Sequence, residues 1–230
     1  MAQPSIGILM LDTRFPRLVG DLGHPGTFPF PVRHQRVPGA SPERVVRGAG
    51  PALLPPFVDG ARALVRQGAR AIVTTCGFLS VFQAELATAV PVPVLTSSLL
   101  LVPVVARLLG PTRAVGILTI DGRALGPAHL AGAGVDPRTR VVIQGLAEDG
   151  TFARAILGDQ TALDIVACRA EHRDAARRLT TAHPEVGAIV LECTNMPPYR
   201  ADVQSATGLP VFDAVDLVRL VHASLPEEPA

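Results

Sequence analysis

Short apolar runs rich in β-branched residues alternate along the chain with longer stretches of helical period. That alternation marks βα units feeding a parallel sheet. The spacing predicts strands in SIGILML near residue 5, RAIVTT near 70, VPVL near 92, RAVGILT near 113, RVVIQG near 140, GAIVLE near 187 and LPVF near 209. Helices fill the intervals, near 52–68, 79–88, 98–109, 123–132, 161–182, 198–206 and 214–223, with Gly68 at the end of the first. Ser41-Pro42-Glu43 reads as a further helix start, Ser as cap and Pro in the first turn. Between Asp12 and Ser41 the period fails and Gly, Pro, Arg and Phe dominate. Such a stretch is either a functional loop or lid, or a surface excursion with a short extended piece at FPFPVRHQRV.

The pattern also repeats. SIGILMLDT returns as AVGILTIDG, placing Gly7 on Gly116 at an offset of 109. AIVTTCGF returns as AIVLECTN and PVLTS as PVFDA, placing Cys76 on Cys193 and Pro93 on Pro210 at a shared offset of 117. The difference is a net insertion of eight residues in the second half. A period this long excludes a solenoid and predicts two duplicated α/β halves. Parallel sheets bind ligands at the carboxyl ends of their strands. Both repeated cysteines sit there, after a strand and before a helix. Halves packed face to face about a pseudo-two-fold axis would set the two thiols across one cleft.

Composition narrows the chemistry. With 48% hydrophobic and 18% charged residues, the 230-residue chain can fill a sizeable core. All 21 basic side chains are arginine. That excludes a lysine Schiff base and a lysine-dependent phosphate loop. A net charge of +1, scattered arginines, no Trp and one Tyr speak against nucleic-acid binding. The longest apolar stretch is broken by Pro91, Pro93 and Pro103, so no membrane span is expected. Three cysteines without paired spacing point to a reducing compartment. The opening segment meets Asp12 within its apolar run and does not read as a leader, so the expected location is cytoplasmic. No cluster has metal-ligand spacing.

A thiolate facing a thiol across a substrate moves a proton from one face of a carbon to the other. One sulfur accepts and the opposite sulfur donates, with no metal or redox cofactor. A helix N-terminus favours the thiolate. The growing enediolate needs donors at the strand ends, and Thr75 and Gly77, Thr194 and Asn195, and Thr119 are placed to supply them. Asp12, Thr13 and Arg14 follow the other copy of the first strand; Arg14 can pair with a substrate carboxylate. Asp12 either orients a substrate or terminates its strand. Ile165, Cys168, Ala176 and Leu179 share one helical face, so Cys168 reads as core, with His172 near that face and His183 in the turn beyond. His24 and His34 read as loop histidines. Strand pleating turns Glu192 away from Cys193. Tyr199 either borders the site or packs.

GILMLDT, AIVTTCGF, AVGILT and AIVLECTNMP, in this order and spacing, resemble the cofactor-independent aspartate/glutamate racemase superfamily, which includes hydantoin racemases, maleate isomerases and arylmalonate decarboxylases. The resemblance covers nearly the whole chain. It implies two pseudosymmetric α/β domains with mainly parallel sheets and an interdomain active site. Residues 1–98 and 210–230 would form the first domain, closed by the C-terminal strand and helix, and 99–209 the second. It further implies a homodimer, no cofactor, and Cys76 and Cys193 as the two bases of a racemase or epimerase acting on an amino acid or related small carboxylate. Gly77-Phe78 stands where amino-acid racemases of the group carry Asn-Thr, and Asn195 where they carry His or Glu. The donors for an acidic amino acid are thus partly absent. A maleate-type isomerase working through a covalent thiol adduct, and a non-catalytic small-acid binding protein, are the alternatives.

Overall fold

A computed structural model describes residues 3–48 and 50–227. Strands β1 (Ser5–Met10), β2 (Val32–Arg36), β3 (Ala69–Thr74) and β4 (Val94–Leu95) form one sheet in the order β2-β1-β3-β4. Strands β5 (Ala114–Thr119), β6 (Val141–Gly145), β7 (Val186–Leu191) and β8 (Val211–Phe212) form a second in the order β6-β5-β7-β8. Every pairing is parallel. The helices are α1 (Pro42–Gly48), α2 (Leu54–Arg66), α3 (Gln83–Ala89), α4 (Val102–Leu109), α5 (Pro127–Gly132), α6 (Thr151–Leu157), α7 (Ile165–Ala182), α8 (Arg200–Thr207) and α9 (Ala214–Ser224). The fold is α/β, in two related halves.

The duplication extends to register. Ile6 pairs with Val32 and Val115 with Val141, both at the offset of 109. Ile72 pairs with Val94 and Ile189 with Val211, both at 117. Even the irregularity between Ser5 and Ile6 recurs between Ala114 and Val115. The extra residues therefore lie between β6 and β7, where α7 has 18 residues against 13 in α2. The central strands are covered on both faces, which is why they read as continuous apolar runs rather than alternating ones.

Helix and sheet approach closely at Gly116, where a Cβ would press on Leu179 and Val186, as one on Gly7 would press on Ile72 and Leu64. Gly116→Ala is expected to cost about 1–3 kcal/mol through overpacking, read as a lower urea midpoint at unchanged slope.

The halves exchange helices. β4 completes the first sheet, yet α4 packs on β5 and β7 of the second. β8 completes the second sheet, and α9 returns to pack on β3, with the His222 ring stacked on Phe30 at 3.6 Å and its Nε2 3.2 Å from the Pro4 carbonyl. Val211–Phe212 pairs with β7, so the strand near 209 joins the second sheet rather than closing the first domain as expected, and of the C-terminal strand and helix only α9 crosses. The reason is the repeat itself, since Pro210 and Val211 reproduce Pro93 and Val94 in their own half.

Cys168 is core, as expected, and His172 is fully buried against Tyr199, its ring stacked at 4.2 Å and its Nδ1 2.7 Å from the Cys168 carbonyl. Burial lowers the His172 pKa to about 4 and keeps it neutral. Among the described residues, no helix is long and apolar enough to cross a membrane and no three potential metal ligands cluster.

Candidate active site

Each half delivers its cysteine in the same way. Thr75 N–H donates to the Leu9 carbonyl at 2.9 Å, and Glu192 N–H donates to the Leu118 carbonyl at 2.8 Å, closing each central strand pair one residue before the cysteine. The chain then turns. Leu79 N–H donates to the Cys76 carbonyl at 3.2 Å, and Met196 N–H to the Cys193 carbonyl at 3.0 Å. The amide two residues beyond each cysteine, Phe78 or Asn195, points at the sulfur and favours its thiolate. Both cysteines are 8% exposed and line one cavity, walled by Leu11, Phe15, Val46, Phe78, Ile120 and Ile156.

Thr75, Gly77, Phe78 and Asn195 also line this cavity. The Thr75 hydroxyl accepts the Leu11 amide at 3.1 Å within the first half, and the Thr194 hydroxyl donates to the Thr75 carbonyl at 2.7 Å, which ties the second half to the first. Asn195 accepts from the Cys193 thiol at 3.5 Å and donates to Asp21 at 2.5 Å. Asp21 pairs with Arg17 at 2.8 Å, and Arg17 donates to the Thr13 hydroxyl at 3.0 Å. A buried polar chain thus runs from Thr13 to Cys193. Leu22 N–H adds a 3.4 Å bond to the Thr194 carbonyl. The early irregular stretch therefore folds over the second half's cysteine, while its FPFPVRHQRV piece supplies β2.

Asp12 and Arg14 are not brought to the cavity. Asp12 pairs with Arg36 at 3.2 Å, and Arg14 lies at the surface, 73% exposed, paired with Asp159 at 3.1 Å.

Glu192 overturns the pleat argument. Strand β7 ends at Leu191, so alternation stops before Glu192, whose fully buried side chain lines the cavity. Its Oε2 accepts from the Thr119 hydroxyl at 2.7 Å, and the carboxylate fills the space where Gly77 lacks a Cβ. Its Oε1 has no hydrogen-bond partner among the described residues. Two signals in the sequence pointed here: the repeat sets Glu192 on Thr75, at the strand end, and the residue after Cys76 is the smallest available. Asp21 carried no such signal.

Burial, then the nearby Glu192 charge, raise both thiols above their ordinary value. Arg17 works the other way on Cys76, whereas Asp21 raises Cys193 further. Burial pushes the Glu192 carboxyl up to about 7, against the Thr119 hydrogen bond. A carboxyl raised on folding stabilises the fold below its unfolded pKa, and that stability is lost as pH rises through the folded value. Wild-type protein is therefore expected to lose about 3 kcal/mol relative to Glu192→Gln between about pH 4.5 and pH 7, measured as the difference in urea stability of the two proteins across that window.

The Asp/Glu/hydantoin racemase family model matches residues 40–219. Dimethylsulfoniopropionate lyase 3 of Emiliania huxleyi (strain CCMP1516) is 35% identical over 234 residues, covering 98% of this chain and 61% of its own length. Dimethylsulfoniopropionate lyase of Durusdinium sp. clade D is 33% identical over 217 residues, covering 92% of this chain and 71% of its own. The chain thus spans about three fifths of the Emiliania relative, 61%. Arylmalonate decarboxylase has the same fold at TM-score 0.63 and 22% identity, covering 98% of this chain and 96% of that one. Picrophilus torridus aspartate racemase matches at TM-score 0.58 and 16% identity, covering 95% and 92%. With its duplicated halves, its paired strand-end cysteines and a family match over most of its length, the chain belongs to the Asp/Glu/hydantoin racemase family.

Proposed function

We propose that this chain catalyses β-elimination from a small sulfonium carboxylate of the dimethylsulfoniopropionate type, opened by a cysteine thiolate that removes a proton from the carbon next to the carboxylate. The observation that carries the reading is the character of the cavity. Its walls are apolar, and none of the described residues lining it is Arg or His. A second carboxylate, as in aspartate, glutamate or maleate, would enter without a counter-charge, at a cost of several kcal/mol. Gly77 and Phe78 likewise offer no side-chain donor. A short acid with a soft, non-hydrogen-bonding far end suits these walls. The names of the curated relatives support the same choice.

The step balances without a cofactor. The Cα–H bond breaks as its proton passes to the cysteine sulfur. The electron pair forms the Cα–Cβ double bond, the Cβ–S bond breaks, and neutral dimethyl sulfide departs with that pair, leaving acrylate. The thiol returns its proton to solvent. Cys76 is assigned as the base, because Arg17 favours its thiolate. The amides of Gly77 and Thr194, at the mouths of the two turns, are assigned to the carboxylate as it gains enediolate character.

A second reading keeps both thiols in use: two-base racemisation or epimerisation of a small acid, Cys76 on one face and Cys193 on the other. The presence of both sulfurs in one cavity favours it. Dimethyl sulfide released from dimethylsulfoniopropionate, followed by gas chromatography, is the expected result. Deuterium uptake with inversion at Cα across a panel of amino acids, hydantoins and hydroxy acids, without sulfide release, assigns the second reading. Absence of both sinks both.

A further inference from the structure

The geometry points to Glu192 as the residue that selects the substrate's positive end, its partnerless carboxylate oxygen beside Gly77 receiving the onium centre of a zwitterionic acid. This rests on the proposed function only for the carboxylate end of the ligand. Glu192 is 0% exposed and lines the same cavity as the two thiols. Thr119 satisfies Oε2, and Ser98 Oγ lies 3.3 Å from the Glu192 backbone carbonyl, but Oε1 has no hydrogen-bond partner among the described residues. A buried carboxylate oxygen left bare is costly, and a core residue holding Thr119 has no need of it. Gly77 leaves it room, since a Cβ there would overlap the carboxylate.

Charge balance gives the sign of the ligand. Among the described lining residues, Glu192 is the one ionisable group besides the two thiols. Arg17 and Asp21 form an ion pair with each other and do not line the cavity. When Glu192 ionises, the cavity therefore holds one uncompensated negative charge. A sulfonium neither donates nor accepts hydrogen bonds, so it is matched by an oxygen whose remaining capacity is electrostatic.

Dimethylsulfonioacetate and 3-methylbutanoate test this directly. They share one shape, differ by one positive charge, and cannot undergo β-elimination, so binding is read by calorimetry without turnover. At about pH 8 wild-type protein should bind the sulfonium at least about tenfold more tightly. Glu192→Gln, which keeps an oxygen for the Thr119 hydrogen bond, should reduce that preference to within about twofold. Lowering the pH of the wild type to about 5.5 should do the same, because Glu192 takes up its proton while Cys76 and Cys193 remain neutral thiols throughout. Thr119→Val should keep the preference but move its loss to higher pH, since a hydrogen bond to the ionised form is removed. A merely structural Glu192 would move neither quantity. Preference for the neutral isostere, binding of neither ligand, or an unchanged preference in Glu192→Gln overturns the inference. Failure of the proposed function would show separately, as no sulfide release by a protein that still prefers the cation.

Discussion

Cys76→Ala is expected to lower turnover of the sulfonium acid by about 10²–10⁴-fold, the usual worth of a positioned general base. Cys193→Ala should cost no more than about tenfold, because a leaving dimethyl sulfide is neutral and needs no proton from an acid. The asymmetry comes from charge. Both sulfurs are buried and both face Glu192, but Arg17 relieves Cys76 whereas Asp21 adds to the burden on Cys193. In the same assay kcat/KM should climb with pH through the alkaline range, since the reactive form is a thiolate and burial holds the thiol above its ordinary pKa. Equal loss in the two variants, with deuterium entering from both faces of Cα, would transfer the chain to the stereoinversion reading.

Asp21→Ala should be the most damaging single change to stability, about 3–5 kcal/mol. Asp21 and Arg17 form an ion pair with side chains only 4% and 9% exposed. Asp21 also accepts from Asn195 and, at 2.7 Å, from the Gly23 amide. Its removal strands a buried guanidinium and a buried amide together. For a chain of this size the loss corresponds to a fall in melting temperature of about 6–20 °C, measurable by calorimetry. Asp21→Asn, which retains acceptors for Asn195 and Gly23 but not the charge, should lose less.

What the sequence made legible follows from which signals are local. The central strands read clearly because burial on both faces makes them unbroken apolar runs, and the duplication read clearly because two motifs share one offset. Edge strand β2 was only half legible: VRHQR has little apolar character and is held by pairing with β1. Helix α6 went unread, since Thr151–Leu157 is short and its start lacks the Ser-Pro-Glu signal of α1, its counterpart 109 residues earlier. At the site, the cysteine pair was legible from repetition. Glu192 was misdirected by extending the pleat one residue past the end of β7. The Arg17–Asp21–Asn195 chain joins residues far apart in sequence, and no periodicity reports a contact of that kind. Thr75, Thr119 and Thr194 were picked for their position and are near the cavity, but their hydroxyls hold strand ends and Glu192.

The reciprocal exchange of α4 and α9 bears on how such a chain can be taken apart. A fragment ending before α4 would keep its sheet but leave bare the face that α9 covers, and it would lack the helix that the other sheet requires. Two copies of a single half would meet both needs by trading their last helices, as in a swapped dimer. The present chain is that dimer written as one polypeptide. Its two thiols line one cavity, with each sheet completed by its own strand and covered by a helix from the other half. Parting the halves about a hinge would strip from each sheet the helix that the other half supplies.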